Sequence, residues 1–71
     1  MKLCDALNVL LFSNVTIFTD TKRCQIIPTK NLDETGRKYL TILSPEILGC
    51  KVTKIVPTAF GYVNVYIEME I

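Results

Sequence analysis

Catalysis and metal binding draw on a short list of side chains, and this chain is poor in them. It contains no histidine, so neither a serine–histidine nor a cysteine–histidine nucleophile can be assembled within one chain. The carboxylates that fall close together are Asp33-Glu34 and the pair Glu68 and Glu70. Neither pair is set in the apolar surroundings that carboxylate acid–base catalysis uses. Cys4, Cys24 and Cys50 are an odd number without a C-x-x-C spacing. They spell out neither a disulfide framework nor a zinc site, and a reducing compartment is the simpler setting. Gly36, Gly49 and Gly61 stand alone, so no glycine-rich phosphate loop is present. The expectation is a protein without catalytic residues, cofactor or metal.

What remains is chemistry suited to holding a partner. Tyr62, Asn64 and Tyr66 share one parity in the last segment, with Lys51 and Lys54 in the segment before it. Tyrosine is favoured at interfaces because its ring is large and its tip polar, so these five residues form the expected partner-binding surface. A free strand edge is the other expected docking place. Stacking of nucleic-acid bases needs several aromatics on one exposed face beside cations, and only Tyr62 and Tyr66 meet the parity condition. A separate expectation is a small anionic or nucleotide ligand held by Lys22, Arg23, Arg37 and Lys38, with Lys51 and Lys54 as further cations.

The elements that position these residues follow from periodicity. Leu3, Ala6, Leu7, Leu10 and Leu11 recur at helical spacing. Cys4, Val9 and Phe12 widen that face and predict a helix covered along much of its surface, stopped by Ser13-Asn14. Val15 to Asp20 reads as a strand, Asp20-Thr21-Lys22 as a turn, and Arg23 to Ile27 as a second strand that Pro28 ends or confines to an edge. Thr29 to Arg37 reads as a loop anchored by Leu32. Lys38 to Leu43 reads as a third strand, with a short helix as the competing assignment. Ser44-Pro45-Glu46 is a helix start, and Gly49 is expected to end that turn in a left-handed conformation.

Cys50 to Val56 and Tyr62 to Glu70 read as a hairpin joined through Pro57 to Gly61. Val63, Val65, Ile67, Met69 and Ile71 alternate with polar residues, the mark of a half-buried strand. Val52 and Ile55 have opposite parity. Both reach the core only if Thr53 and Lys54 together face one residue, Asn64, in a β-bulge that puts Ile55 opposite Val63 and Val52 opposite Val65. A register pairing Val52 with Val63 and Cys50 with Val65 would remove the bulge. The expected fold is one α+β domain over residues 1–71. An N-terminal helix packs on a meandering, mostly antiparallel sheet of four to five strands, with a helical turn before the C-terminal hairpin.

Composition bounds the rest. The chain has 71 residues, of which 49% are apolar, and a net charge of +1. A domain this small buries only about 60% of the surface its unfolded chain exposes. That much apolar residue fits either a tightly packed core or an apolar face covered by a second copy or a partner, and self-association into a homo-oligomer is the expectation. The charge balance predicts no binding to duplex nucleic acid. No run reaches the length of a membrane span, and Asp5 and Asn8 interrupt the start, so neither a secretory signal nor membrane association is expected. The expected location is the cytoplasm.

The layout resembles small proteins encoded by bacterial phages and prophages. The resembling parts are the amphipathic start from Lys2 to Leu11, Asn14-Val15-Thr16-Ile17-Phe18, Ser44-Pro45-Glu46-Ile47-Leu48, Cys50-Lys51-Val52-Thr53-Lys54-Ile55 and Val63-Asn64-Val65-Tyr66-Ile67-Glu68. Thr29 to Leu43 departs from that pattern in length and polarity. The resemblance implies a non-enzymatic accessory protein of a bacterial host cell, of the kind that blocks a host defence system by binding a protein or sequestering a nucleotide signal. It carries over no binding residue.

Overall fold

The computed structural model of the chain describes residues 1–21 and 24–69. Its elements run α1 (Leu3–Val9), β1 (Asn14–Thr19), β2 (Gln25–Asn31), α2 (Glu34–Thr41), α3 (Pro45–Leu48), β3 (Val52–Ala59) and β4 (Tyr62–Ile67). The fold is α+β, with an open four-stranded sheet in the order β2-β1-β4-β3. The sheet is not a simple meander. The last strand enters between the first strand and β3, parallel to β1 and antiparallel to β3. Two hairpins are thereby joined along their inner strands, and both outer strands are left as edges.

Alternation decides which side is covered. Val15 and Ile17 of β1 and Val65 and Ile67 of β4 share the inner face, and the latter pair is 0% exposed. Leu3 and Leu7 of α1, Leu32, and Leu40 of α2 complete the core, with Ile47 and Leu48 of α3 packed against it. All three helices therefore lie on one face. Each fully buried aliphatic side chain contributes about 1.5–3 kcal/mol, so this single layer of contacts dominates the stability of so small a chain.

α1 is shorter than its apolar pattern. It stops at Val9, and Phe12 takes a left-handed φ of 63°. Val9 and Phe12 do not widen the buried face; both are largely exposed, because the chain turns toward β1 before they can reach the sheet. Before the helix, Lys2 bridges Lys51. The Leu3 N–H donates to the Cys50 carbonyl at 2.9 Å, and the Val52 N–H to the Met1 carbonyl at 2.8 Å. The start of the chain thus shields the lower end of the β3 edge.

β2 runs through Pro28 to Asn31 rather than ending at Ile27. It is an edge strand, where a missing N–H costs no ladder bond. The segment expected as a loop from Thr29 to Arg37 is instead the end of β2 followed by α2, and Lys38 to Leu43 holds the competing helix rather than a strand. The reason is local. Asp33 Oδ1 accepts from the Gly36 N–H at 2.7 Å, a helix N-cap. At Gly36 a β-carbon would run into the Asn31 carbonyl, so glycine is required there. The anchor role of Leu32 holds, at 0% exposure.

α3 starts as expected, with Ser44 Oγ accepting from the Ile47 N–H at 3.4 Å and Pro45 at its first position. Gly49 is not left-handed. Its φ is −86°, and its N–H donates to the Pro45 carbonyl at 2.9 Å, closing the turn without a reversal.

The C-terminal hairpin turns tightly at residues 60–61, with Gly61 at φ 77°. The bulge lies at Thr53 as expected, but two residues along in register. Val52 pairs with Ile67, Lys54 with Tyr66 and Ile55 with Val65. The short turn draws the strands further along each other than a five-residue connection would. A second irregularity falls between Pro57 and Ala59. Glu70 and Ile71 lie outside the described residues.

Candidate functional site

The uncovered face of the sheet collects the polar and aromatic residues of alternate parity. Register sets them in rows. Asn31, Asn14, Tyr62 and Ala59 form one row at the hairpin end. Thr16, Asn64 and Val56 form the next, with Thr29 joined to Thr16 by a 2.6 Å hydroxyl contact. Gln25, Phe18, Tyr66 and Lys54 form the third. In that row the Phe18 and Tyr66 rings stack at 5.2 Å, and the Lys54 ammonium lies 4.6 Å from the Tyr66 centroid. This cross-strand ladder fixes the middle of the face.

The bulge explains why Lys54 is there. Val52 faces the core, so regular alternation would return Lys54 to the core side. The extra residue Thr53 turns Lys54 onto the open face and Ile55 onto the inner side, but only Val52 packs against the core as expected; Ile55 stays 39% exposed at the edge. Lys51, next to Val52, also falls on the open face, and its bridge partner Lys2 shares that side. Glu68, whose N–H donates to the Lys51 carbonyl at 2.8 Å, borders the same corner.

The expected partner-binding residues Tyr62, Asn64, Tyr66, Lys51 and Lys54 are therefore brought to one face. Of the cations named for a small anionic ligand, Lys51 and Lys54 are on this face, whereas α2 carries two others elsewhere. Lys22 and Arg23 lie outside the described residues, and Arg37 and Lys38 fall on α2, in the helical layer behind the sheet. Phe18 and Lys2 join the face although the sequence did not nominate them. Phe18 had the right parity in its own strand, but only the parallel pairing of β1 with β4 sets it beside Tyr66.

A second surface lies at the hairpin end. Asn14 Nδ2 donates to the Gly61 carbonyl at 3.1 Å, and Asn31 Nδ2 donates to Asn14 Oδ1 at 3.1 Å and to the Phe12 carbonyl at 3.3 Å. The Phe12 N–H in turn donates to the Leu32 carbonyl at 3.0 Å. These bonds fix the link before β1 and the turn after β3 side by side. From them Phe60 projects fully exposed and Phe12 is 68% exposed, with Val9 and Leu11 nearby in sequence and also exposed.

Both sheet edges are poor templates for another strand. β2 carries Pro28 and two register shifts, and β3 carries Pro57 and two more. Proline and bulges are the devices that discourage edge pairing. Among the described residues no cluster of metal-ligating side chains occurs and no pocket is present, and no helix is long and apolar enough to cross a membrane. The chain matches no protein-family model, no curated protein and no solved structure.

Proposed function

We propose that this protein is a non-enzymatic accessory protein acting in the cytoplasm of a bacterial cell by protein association, both with itself and with a host protein. One observation carries this reading. Phe12 is held in a left-handed backbone conformation that costs a non-glycine residue roughly 1–2 kcal/mol, while its side chain is 68% exposed, and Phe60 is fully exposed on the turn that Asn14 ties to the link before β1. A side chain that adds backbone strain and little burial is one used on a partner. Exposed apolar groups fixed by surrounding hydrogen bonds suit such use, because little freedom is left to lose on binding. The layout likeness to phage-encoded proteins makes a component of a host defence system the expected target. Sedimentation equilibrium of the parent and of Phe60→Ser tests the association. The parent forms oligomers at micromolar concentration and the variant does not; a monomeric parent that also captures no host protein would overturn the reading.

The second reading, an anion-binding protein, is favoured by a different observation. Lys2, Lys51 and Lys54 share one corner of the open face, and none of them is in an ion pair among the described residues. Calorimetry with nucleotides and inorganic phosphate tests it.

A further inference from the structure

The lysine corner and the aromatic face belong to one surface, and together they select a class of ligand. Lys2 and Lys51 are direct cross-strand partners flanked by inter-strand bonds, the narrow kind of antiparallel pair. Like charges placed so are destabilising. The Thr53 bulge adds a third ammonium on the same side by re-aiming Lys54. Glu68 borders this corner and Asp20 follows β1 at the same end, yet neither forms an ion pair with the three lysines among the described residues. An unpaired cation cluster built by a bridge and a bulge is complementary to an anion.

Shape narrows the choice. Small ligands occupy concave sites, whereas this surface is the open face of a sheet, with no pocket among the described residues. An open sheet face that combines aromatic rings, amides and an edge of cations fits a strand whose phosphates follow the lysines and whose bases lie on the sheet. Phe18, Tyr66 and the half-exposed Tyr62 supply rings, and Asn64 and Gln25 supply amide donors and acceptors. We infer that the open sheet face binds single-stranded nucleic acid, with Lys2, Lys51 and Lys54 on phosphates and Tyr62 and Tyr66 against bases. The Lys54 ammonium leaves the Tyr66 ring for a phosphate, and a base takes its place over the ring. This rests on the anion-binding reading of that face.

The test uses the full chain and fluorescently labelled mixed-sequence oligonucleotides of about 12 nucleotides, a length within the range a sheet of this kind spans. Anisotropy should rise with single-stranded DNA or RNA and much less with a duplex, while intrinsic tyrosine emission is quenched. Replacing Lys2, Lys51 and Lys54 together by glutamine should weaken binding at least ten-fold. The slope of log K against log salt should also become shallower by about 2, near 0.7 for each phosphate no longer neutralised. Lys54→Arg should retain binding, and Tyr62→Ala should lose roughly ten-fold. Unchanged affinity in the triple glutamine variant would overturn the inference, as would equal competition by an acidic peptide. Nucleotides or inorganic phosphate binding as tightly as the strand would keep the anion reading and remove the strand from it. No binding to any of them would end both.

Discussion

Deleting a residue from the middle of a strand should be ruinous, because every side chain beyond the deletion changes face. Thr53 is the exception this fold predicts. Val52 pairs with Ile67 and Lys54 with Tyr66, so the residues flanking Thr53 already face consecutive partners. Its removal leaves both pairs, the Ile55–Val65 pair and the outward aim of Lys54 in place. What is lost is one exposed hydrogen bond, from Thr53 Oγ1 to the Tyr66 carbonyl at 3.3 Å, worth about 0.5–1.5 kcal/mol. Part of that is returned by the more regular ladder. Deleting Asn64 from β4 is the control. It would turn Val65 and Ile67, both fully buried, onto the open face at about 1.5–3 kcal/mol each. Their sum, about 3–6 kcal/mol, is comparable to the whole stability of a chain this size at roughly 0.05–0.15 kcal/mol per residue. Urea denaturation followed by far-ultraviolet circular dichroism reads both. The Thr53 deletion should unfold cooperatively with an unchanged m value and a midpoint slightly below the parent, whereas the Asn64 deletion should show no cooperative transition. Equal damage from the two deletions would refute the bulge and with it the placement of Lys54.

Ile17→Ala should cost about 2–5 kcal/mol by leaving a cavity between the sheet and the helices, measured as a drop in the same urea midpoint. Asp33→Ala should cost about 1 kcal/mol through loss of the α2 cap, with lower helicity in the dichroism spectrum. Gly36→Ala should destabilise despite the roughly 1 kcal/mol that alanine gains over glycine in a helix, since its β-carbon meets the Asn31 carbonyl; a stabilised variant would contradict that close approach. Phe60→Ser should leave the urea midpoint within about 0.5 kcal/mol of the parent, as for other surface changes, while abolishing the oligomer in sedimentation.

The parts of the fold legible in the sequence are those with strong periodicity. Val63, Val65 and Ile67 announced β4, and Leu3, Ala6 and Leu7 announced α1, because each set keeps one face under the core. The mismatch of Val52 and Ile55 located the bulge, though the register depended on the length of the turn, which β3 fills with its own residues up to Ala59. α2 was hidden because its only described buried side chain is Leu40 and its cap, Asp33, lies within a polar stretch that resembles a loop. The candidate site was half legible. Parity within β4 joined Tyr62, Asn64 and Tyr66, but the parallel contact between β1 and β4 that adds Phe18 is a long-range choice no local pattern encodes. The bridge that brings Lys2 to Lys51 is of the same kind.

Everything proposed for the open face requires that the helices cover one side of the sheet and leave the other wet. Methyl-resolved NMR with a soluble paramagnetic chelate measures that directly. Methyl signals of Thr29 and Val56 should relax much faster on adding the chelate, while those of Val15, Ile17, Val65 and Ile67 stay protected. Equal protection of both sets would mean that something covers the open face, and strong broadening of Val65 and Ile67 would mean that the helices do not lie where they are described.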